Sequence, residues 1–444
     1  MVFNSLEFPV FFLVVAVGMR LMPCGFCRKM WLLLASWYFY SLLNWWFAGL
    51  LILTAVIHWG AARINRKWSM WLAVGASVGI LAAFKYLGLW IDSIVMPVGI
   101  SFYTFQAISY TVDVYKGKLD CRRSFIDVAL YIGFFPQLLS GPIVRAADFF
   151  PQLQTPNFKL LTSNLSCAFG QFAFGFFKKV FIADRMSMYV GRVFENCNLF
   201  DCPTLWLAAI AYTIQIYCDF SGYSDMAIGT ARALGFEYKR NFDHPYLSTS
   251  VTEFWRRWHI SLSTWLRDYI YIPLGGNRKG VARQYLNQMV TMLIGGAWHG
   301  ADMSFIAWGG IHGIALCAHK WWTKREFHAA VENSRFCKLV AWVLTMLTVM
   351  FCWVLFRADT FPQAWTYVRG MLGATCNASV SWLHPHVYAA MVLITLGSIR
   401  FHGKYISEFR DVRKPLDFFF VFSVFALALL YPAGNASPFI YFQF

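Results

Sequence analysis

Apolar runs long enough to cross a bilayer recur along this chain, and they set the first limit on its fold. They lie near 8–22, 30–46, 47–62, 69–92, 125–140, 165–184, 204–221, 286–298, 303–322, 338–356, 384–399 and 416–432. Inside lipid every backbone amide and carbonyl must be satisfied internally, which leaves only helices and closed barrels. The runs are continuous, unlike the alternating segments of about ten residues that barrel strands show. They predict an all-α, polytopic integral membrane protein. At about 20 apolar residues per span, the chain accommodates roughly ten to thirteen spans or re-entrant segments. The shorter runs are expected to tilt, to re-enter or to lie along the interface.

Composition agrees. Hydrophobic residues make up 58% of the 444 and charged residues 14%, against about 45–50% and about 25% in soluble domains. Too few charges are present to cover that apolar surface in water, and the same excess excludes disorder. The 38 basic and 22 acidic residues give +16. The basic residues cluster at Arg28-Lys29, Arg63/Arg66/Lys67, Arg122-Arg123, Lys178-Lys179, Lys324-Arg325 and Arg413-Lys414, as cytoplasmic loops do. No basic stripe lies outside the hydrophobic frame, so lipid is an expected partner and nucleic acid is not.

Eleven cysteines are scattered singly, many inside apolar runs where a thiol acts as a small hydrophobe. Cys24-x-x-Cys27 has no second pair at zinc spacing and reads as a loop feature rather than a metal or redox site. Glu7 and Pro9 precede the first apolar run without a basic region, which reads as an uncleaved first helix. No linker or fixed-period repeat interrupts the chain, so a single membrane domain over 1–444 is expected. Its motif-bearing core covers about 97–360, with C-terminal spans at about 380–435.

The segment 235–285 stands apart, being rich in charge, Trp, Tyr and Gly. Arg256, Arg257, Arg267 and Asp268 are too costly to face lipid, while Trp255, Trp258 and Trp265 suit an interface. Interfacial or pocket-lining helices are expected here, then a loop at 273–280. Arg256 (i−3) and Ser263 (i+4) would share a helical face with His259. Such a cationic, hydroxyl-bearing face suits the phosphates of a carrier such as coenzyme A and anionic lipid head groups equally.

Two histidines sit among small residues inside the apolar frame, in Gly295-Gly-Ala-Trp-His-Gly300 and Gly309-Gly-Ile-His-Gly313. An ionisable group there is a functional hypothesis by default; its structural rival is a hydrogen bond stapling two helices. Gly295, Gly296 and Gly300 would let a substrate chain or another backbone come close to His299. On one straight helix His299 and His312 would be separated by about 220° and roughly 20 Å. They would then not act on the same atom, and at most one is a catalytic base. Asp219 and Asp225 lie about 240° apart while helical, so they form no paired-carboxylate site unless Ser221-Gly222 breaks the helix. Capping or pairing with an Arg is the structural reading of these carboxylates, and a metal site is unsupported by spacing. No phosphate-binding loop or His-Glu-x-x-His motif occurs.

Taken in order, Pro97-Val-Gly-Ile-Ser-Phe-Tyr-Thr-Phe-Gln106, Phe134-Phe-Pro-Gln-Leu-Leu-Ser-Gly-Pro142 and Asp219-Phe-Ser-Gly-Tyr-Ser-Asp-Met-Ala-Ile-Gly229 resemble the membrane-bound O-acyltransferase family. So do Asn241-Phe, Pro245-Tyr, Phe254-Trp-Arg-Arg-Trp-His-Ile-Ser-Leu-Ser263, Arg267-Asp-Tyr-Ile-Tyr-Ile-Pro-Leu-Gly-Gly-Asn-Arg278, Trp298-His-Gly300 and Phe356-Arg-Ala358. The stretch at 271–278 is similar to the branch that O-acetylates alginate-like exopolysaccharide.

The resemblance implies a bundle of about eleven transmembrane helices with re-entrant and interfacial helices around a central funnel. It implies His299 as the essential catalytic residue and His259 as the second; Arg256, Arg257 and Ser263 are the contacts expected to an acyl-CoA from the cationic, hydroxyl-bearing segment itself. Asp219, Ser221, Asn277 and His312 would lie along the substrate path. Acetyl-CoA as cytoplasmic donor, a polysaccharide acceptor, a periplasmic or extracellular SGNH-type partner and a bacterial inner-membrane location follow from the same likeness. D-alanyl transfer, peptidoglycan O-acetylation and, in another class, glycan or lipid transport are the competing readings.

Overall fold

The computed structural model describes residues 1–5, 7–87, 95–154, 161–325, 334–374, 380–385, 387–389, 415–432 and 439–440. These residues are helical, with one isolated bridge between Phe200 and Val380. In chain order the helices are α1 (Glu7–Leu21), α2 (Gly25–Ser41), α3 (Trp45–Ile64), α4 (Lys67–Ala82), α5 (Ile100–Tyr115) and α6 (Phe125–Gly133). Next come α7 (Phe135–Leu138), α8 (Ala146–Gln154), α9 (Leu161–Phe176), α10 (Asp184–Glu195), α11 (Cys202–Ala233) and α12 (Val251–Arg257). The last are α13 (Ile260–Leu266), α14 (Val281–His299), α15 (Met303–Trp322), α16 (Arg335–Arg357), α17 (Phe361–Met371) and α18 (Pro415–Leu430).

Four helical stretches among the described residues are long and apolar enough to cross a membrane: Trp45–Ile64, Lys67–Tyr86, Leu165–Glu195 and Arg335–Arg357. With the shorter apolar helices, they make this an all-helical, multi-pass membrane protein. The expected span at 384–399 lies almost wholly outside the described residues, as does the end of the one at 69–92.

Four helices, α5, α8, α10 and α17, were missed from sequence. Residues 100–115 carry Ser, Thr, Gln and Asp, so they fall below the hydropathy of a span; yet they form α5, buried on nearly every side. Protein rather than lipid surrounds these polar groups, which is where a membrane fold tolerates them. The expected span at 125–140 is two helices, because Phe134 leaves helical geometry between α6 and α7.

The chain divides into two compact units. The first comprises Met1–Phe177, Gly222–Arg240 and Ile406–Leu429. Within it, Asn44 begins α3 by accepting from the Trp46 amide, and Asn65 ends it in the left-handed region. His58 on α3 bonds Thr111 on α5 and Ser77 on α4, each at 2.7 Å. Lys29 and Asp127 pair at 2.7 Å. A Cβ on Gly175 would strike the Gly222 carbonyl, and one on Gly229 the Ala168 carbonyl at 2.8 Å. Small residues therefore let α9 and the end of α11 touch backbone to backbone. Cys24 caps α2, accepting from the Cys27 amide, and the two thiols lie 3.0 Å apart. The Cys27 thiol hydrogen bond holds the exposed Cys24 thiol below its usual range.

The second unit comprises Lys178–Ser221, Asn241–Tyr405 and Leu430–Phe444. It holds α12–α17 and every residue singled out above for chemistry except Asp225. The helices at 251–266 are short, as expected where no span fits. Trp258 and Trp265, however, are buried in protein and Trp255 nearly so. Stacking explains it: the Trp258 ring lies against Phe254 at 5.6 Å and Trp353 at 4.9 Å.

Candidate active site

The site is built on the hairpin of α14 and α15. Gly296 and Gly309 face each other across it. A Cβ on Gly296 would strike the Phe305 carbonyl, one on Gly309 the Met292 carbonyl, and one on Gly300 the Phe305 ring. Of the two occupants the sequence left open beside these glycines, the structure supplies a backbone and a ring. Gly300 adopts an extended conformation and stops α14 at His299. Asp302 then starts α15, its Oδ1 accepting from the Ser304 amide at 2.7 Å.

His299, the last residue of α14, is buried and packs edge-on against Trp298, Trp308 and Phe356, at centroid distances of 4.7, 4.9 and 5.0 Å. His312, two turns along α15, touches the same Trp308 at 4.9 Å. The two histidines sit on separate helices, so their separation on a single helix does not apply. The turn at 300–302 folds the helix back, and one indole stands between both rings. Trp255 packs on His312 at 5.2 Å and its Nε1–H donates to His312 Nδ1 at 3.3 Å.

His259 is not on a helix. Trp258 ends α12, and His259 sits before α13 with φ 41° and ψ 56°, in the left-handed region. It shares no helical face with Arg256 and Ser263: its side chain is fully buried, whereas Arg256 is exposed. Its Nδ1 bonds Asn241 Oδ1 at 3.2 Å, where the Ser261 amide (3.1 Å) and hydroxyl (2.9 Å) also donate. A backbone N–H requires an oxygen opposite, so the Asn241 orientation is fixed and His259 Nδ1 carries the hydrogen. The neutral ring then presents its lone pair at Nε2, the form a base requires.

Arg256 and Ser263 meet again in a cleft of about 470 Å³ that Arg267, Tyr271, Asn277 and Lys320 also line. Three cationic side chains, several hydroxyl and amide groups and the apolar flanks of Leu266, Met292 and Leu316 thus share one concavity. Trp255 lines it too, so the cleft and the histidine cluster share a wall. Arg257 does not line it. Its guanidinium pairs with Glu253 at 2.8 Å and donates to the Asp243 carbonyl at 3.3 Å. Asn277 accepts from Tyr271 and Gln284.

Asp219 and Ser221 belong elsewhere. Lys179 bridges Asp219 at 2.7 Å and Asp184 at 2.8 Å, all three side chains 2% exposed. The Ile440 amide donates to Asp219 at 2.8 Å, and Lys178 donates to Ser221 at 2.9 Å. The carboxylate is paired as the structural reading expected, with a lysine in place of an arginine, and Lys179 is a buried ion rather than a loop charge. α11 runs unbroken through Ser221-Gly222. No group of three metal-ligating side chains occurs among the described residues.

Trp308, Trp353 and Lys320 were missed from sequence. The first had a signal: residues 304, 308 and 312 repeat at the spacing of one helical face.

An all-helical, multi-pass protein with a histidine buried at a glycine-packed hairpin beside a cationic cleft has the parts of a membrane acyl-transfer enzyme. The profile of the "MBOAT, membrane-bound O-acyltransferase family" matches residues 120–358. A probable alginate O-acetylase AlgI of Pseudomonas putida is 41% identical over 397 residues, 82% of this chain and 79% of that one. Its namesake in Pseudomonas aeruginosa is 40% identical over 404 residues, 84% and 75%. A peptidoglycan O-acetyltransferase of Helicobacter pylori is 35% identical over 393 residues, 78% and 74%. The chain belongs to the membrane-bound O-acyltransferase family and is an O-acyltransferase.

Proposed function

We propose that this enzyme O-acetylates an alginate-like exopolysaccharide, drawing acetyl from cytoplasmic acetyl-CoA through a bacterial inner membrane. One observation carries the reading: identity of about 40% to probable alginate O-acetylases across four-fifths of the chain. Acetyl transfer to peptidoglycan is the second reading, supported by the 35% identity to the Helicobacter pylori enzyme.

His299 acts as general base. It takes the proton of the attacking hydroxyl while the thioester carbonyl lies beside it. A thioester is already activated, and a water-excluding aromatic pocket protects it from hydrolysis. His259, held as the Nδ1–H tautomer, lies along the acyl path. Arg256, Arg267, Lys320 and the Ser263 hydroxyl hold the donor phosphates in the cleft, since such charge-assisted contacts are the strong ones. Arg257 positions α12 and Asn277 the loop at 273–280. A periplasmic or extracellular SGNH-type partner completes delivery, and about eleven spans with re-entrant helices form the bundle.

The test uses membranes carrying wild type or His299→Ala, radiolabelled acetyl-CoA, acceptor polysaccharide and candidate partner. Label transferred by wild type alone, at equal protein abundance, is expected. Equal label from both removes His299 from the chemistry, and the mass of the transferred group separates acetyl from D-alanyl.

A further inference from the structure

Trp308 and His312 lie four residues apart on α15, on one face, and both side chains are fully buried. An indole nitrogen only donates, so the bond from Trp255 places the lone pair of His312 at Nδ1 and its hydrogen at Nε2. Among the described residues neither that Nε2 nor Trp308 Nε1 has a hydrogen-bond partner. Two buried N–H donors therefore sit on touching rings with no acceptor, where unmet donors are costly.

The surroundings narrow what fills the gap. Phe254, Phe356 and Trp353 pack against these rings and offer no acceptor; His299, against Trp308, is the neighbouring ring to which the base reading gives a lone pair. An oxygen that accepts twice and donates nothing fits: a carbonyl oxygen. His299 touches the same Trp308, and Trp255 reaches from His312 to the cleft.

We propose that Trp308 Nε1–H and His312 Nε2–H bind the thioester carbonyl oxygen of the acyl donor, polarising it beside His299. The inference rests on the reading of His299 as base. The acceptor hydroxyl oxygen bonds to the carbonyl carbon as its proton passes to His299. The C=O electron pair moves onto the oxygen, where the two N–H groups stabilise it. When that pair returns, the C–S bond breaks and the departing thiolate takes the proton from His299.

Two substitutions at His312 oppose each other. His312→Gln keeps an N–H near the Nε2 position, whereas His312→Phe keeps the ring packing and loses the donor. Transfer is measured with the full-length protein in membranes, with acceptor and partner, normalised to folded protein. In His312→Phe, kcat is expected to fall about 10²–10³-fold with KM for acetyl-CoA nearly unchanged, and His312→Gln to stay within about tenfold of wild type. A Phe variant as active as the Gln variant overturns the proposal and leaves a packing role, or a structural water, for His312.

Should His312→Phe fail to accumulate, binding of acetyl-CoA is compared with that of S-ethyl-CoA, which lacks the carbonyl. Wild type is expected to prefer acetyl-CoA about tenfold and Trp308→Phe to lose most of that preference; equal binding by wild type overturns the proposal. His299→Ala separates the two levels. If it retains transfer, the base reading fails; if it is dead while His312→Phe is active, only this inference fails.

Discussion

His58 and His312 are both completely buried histidines on helices of a membrane protein, and they are built into opposite surroundings. His58, in the first unit, has a hydroxyl on each ring nitrogen at 2.7 Å. His312, in the second, has one indole donor and a ring of aromatic side chains, and among the described residues its second nitrogen has no partner. The difference teaches that burial of an ionisable group does not by itself mark a site. A group whose hydrogen-bonding capacity is filled by the protein reports architecture. A group whose capacity is left open has room for one further partner, and its surroundings decide which.

The largest effect that sharpens this comparison lies in the second unit, where a filled set of partners also occurs. Lys179 between Asp184 and Asp219 is saturated by charge, so it should behave like His58 despite its neighbourhood. Lys179→Met leaves two carboxylates buried without a cation and is expected to destabilise by about 3–5 kcal/mol. The measurement is folded protein recovered from membranes and its thermal midpoint in detergent. Near-normal stability with lost transfer would place the triad in the chemistry and break the comparison.

Glycine spacing offers the next test. Gly296→Ala drives a Cβ into the Phe305 carbonyl, and backbone cannot rotate aside as a side chain can. Overpacking of this kind costs about 1–3 kcal/mol, and here it also displaces His299. Gly75→Ala, whose Cβ would meet nothing within 4 Å, is expected to be neutral to slightly stabilising. Thermal midpoints of the two variants, with turnover per folded molecule, check the pair. Full transfer by Gly296→Ala would mean that the hairpin spacing does not position His299.

His58→Leu comes third. It strands the Thr111 and Ser77 hydroxyls and should lower stability by about 1–3 kcal/mol. Turnover per folded molecule should stay at the wild-type value. A selective loss of turnover would make His58 a site and undo the distinction drawn from its partners.

Much of this was legible in the sequence, for physical reasons. Continuous apolar runs in lipid favour helices, so α1, α3, α15 and α16 could be placed to within three residues, whereas α2 begins and ends five residues before its expected run. The helix α5 could not, because its polar side chains are buried among neighbours that one segment does not reveal, as Thr111 is against His58. His299 was legible from its glycines. Its relation to His312 was not, since three residues, Gly300 to Asp302, reverse the chain and turn an axial separation into a shared contact with Trp308. The helical face proposed for His259 failed because a left-handed residue breaks the helix there, a conformation uncommon for any residue but glycine.

The smallest effect divides two neighbours on α12. Arg256 and Arg257 are adjacent in sequence and were read alike, as contacts to a phosphorylated carrier. Arg257 is occupied: Glu253 one turn away and the Asp243 carbonyl take up its guanidinium. A partly exposed i,i+4 pair is worth under about 1 kcal/mol, so Arg257→Gln should lower stability by no more than that and leave KM for acetyl-CoA unchanged. Arg256 projects into the cleft, and Arg256→Gln is expected to raise that KM about three- to tenfold with kcat intact, the signature of binding lost equally from ground and transition states. The salt dependence of KM reads the same distinction, weakening only when Arg256 is removed. Equal KM shifts in both variants would mean that charge on α12 acts as a diffuse field and not through the arginine that the protein leaves available.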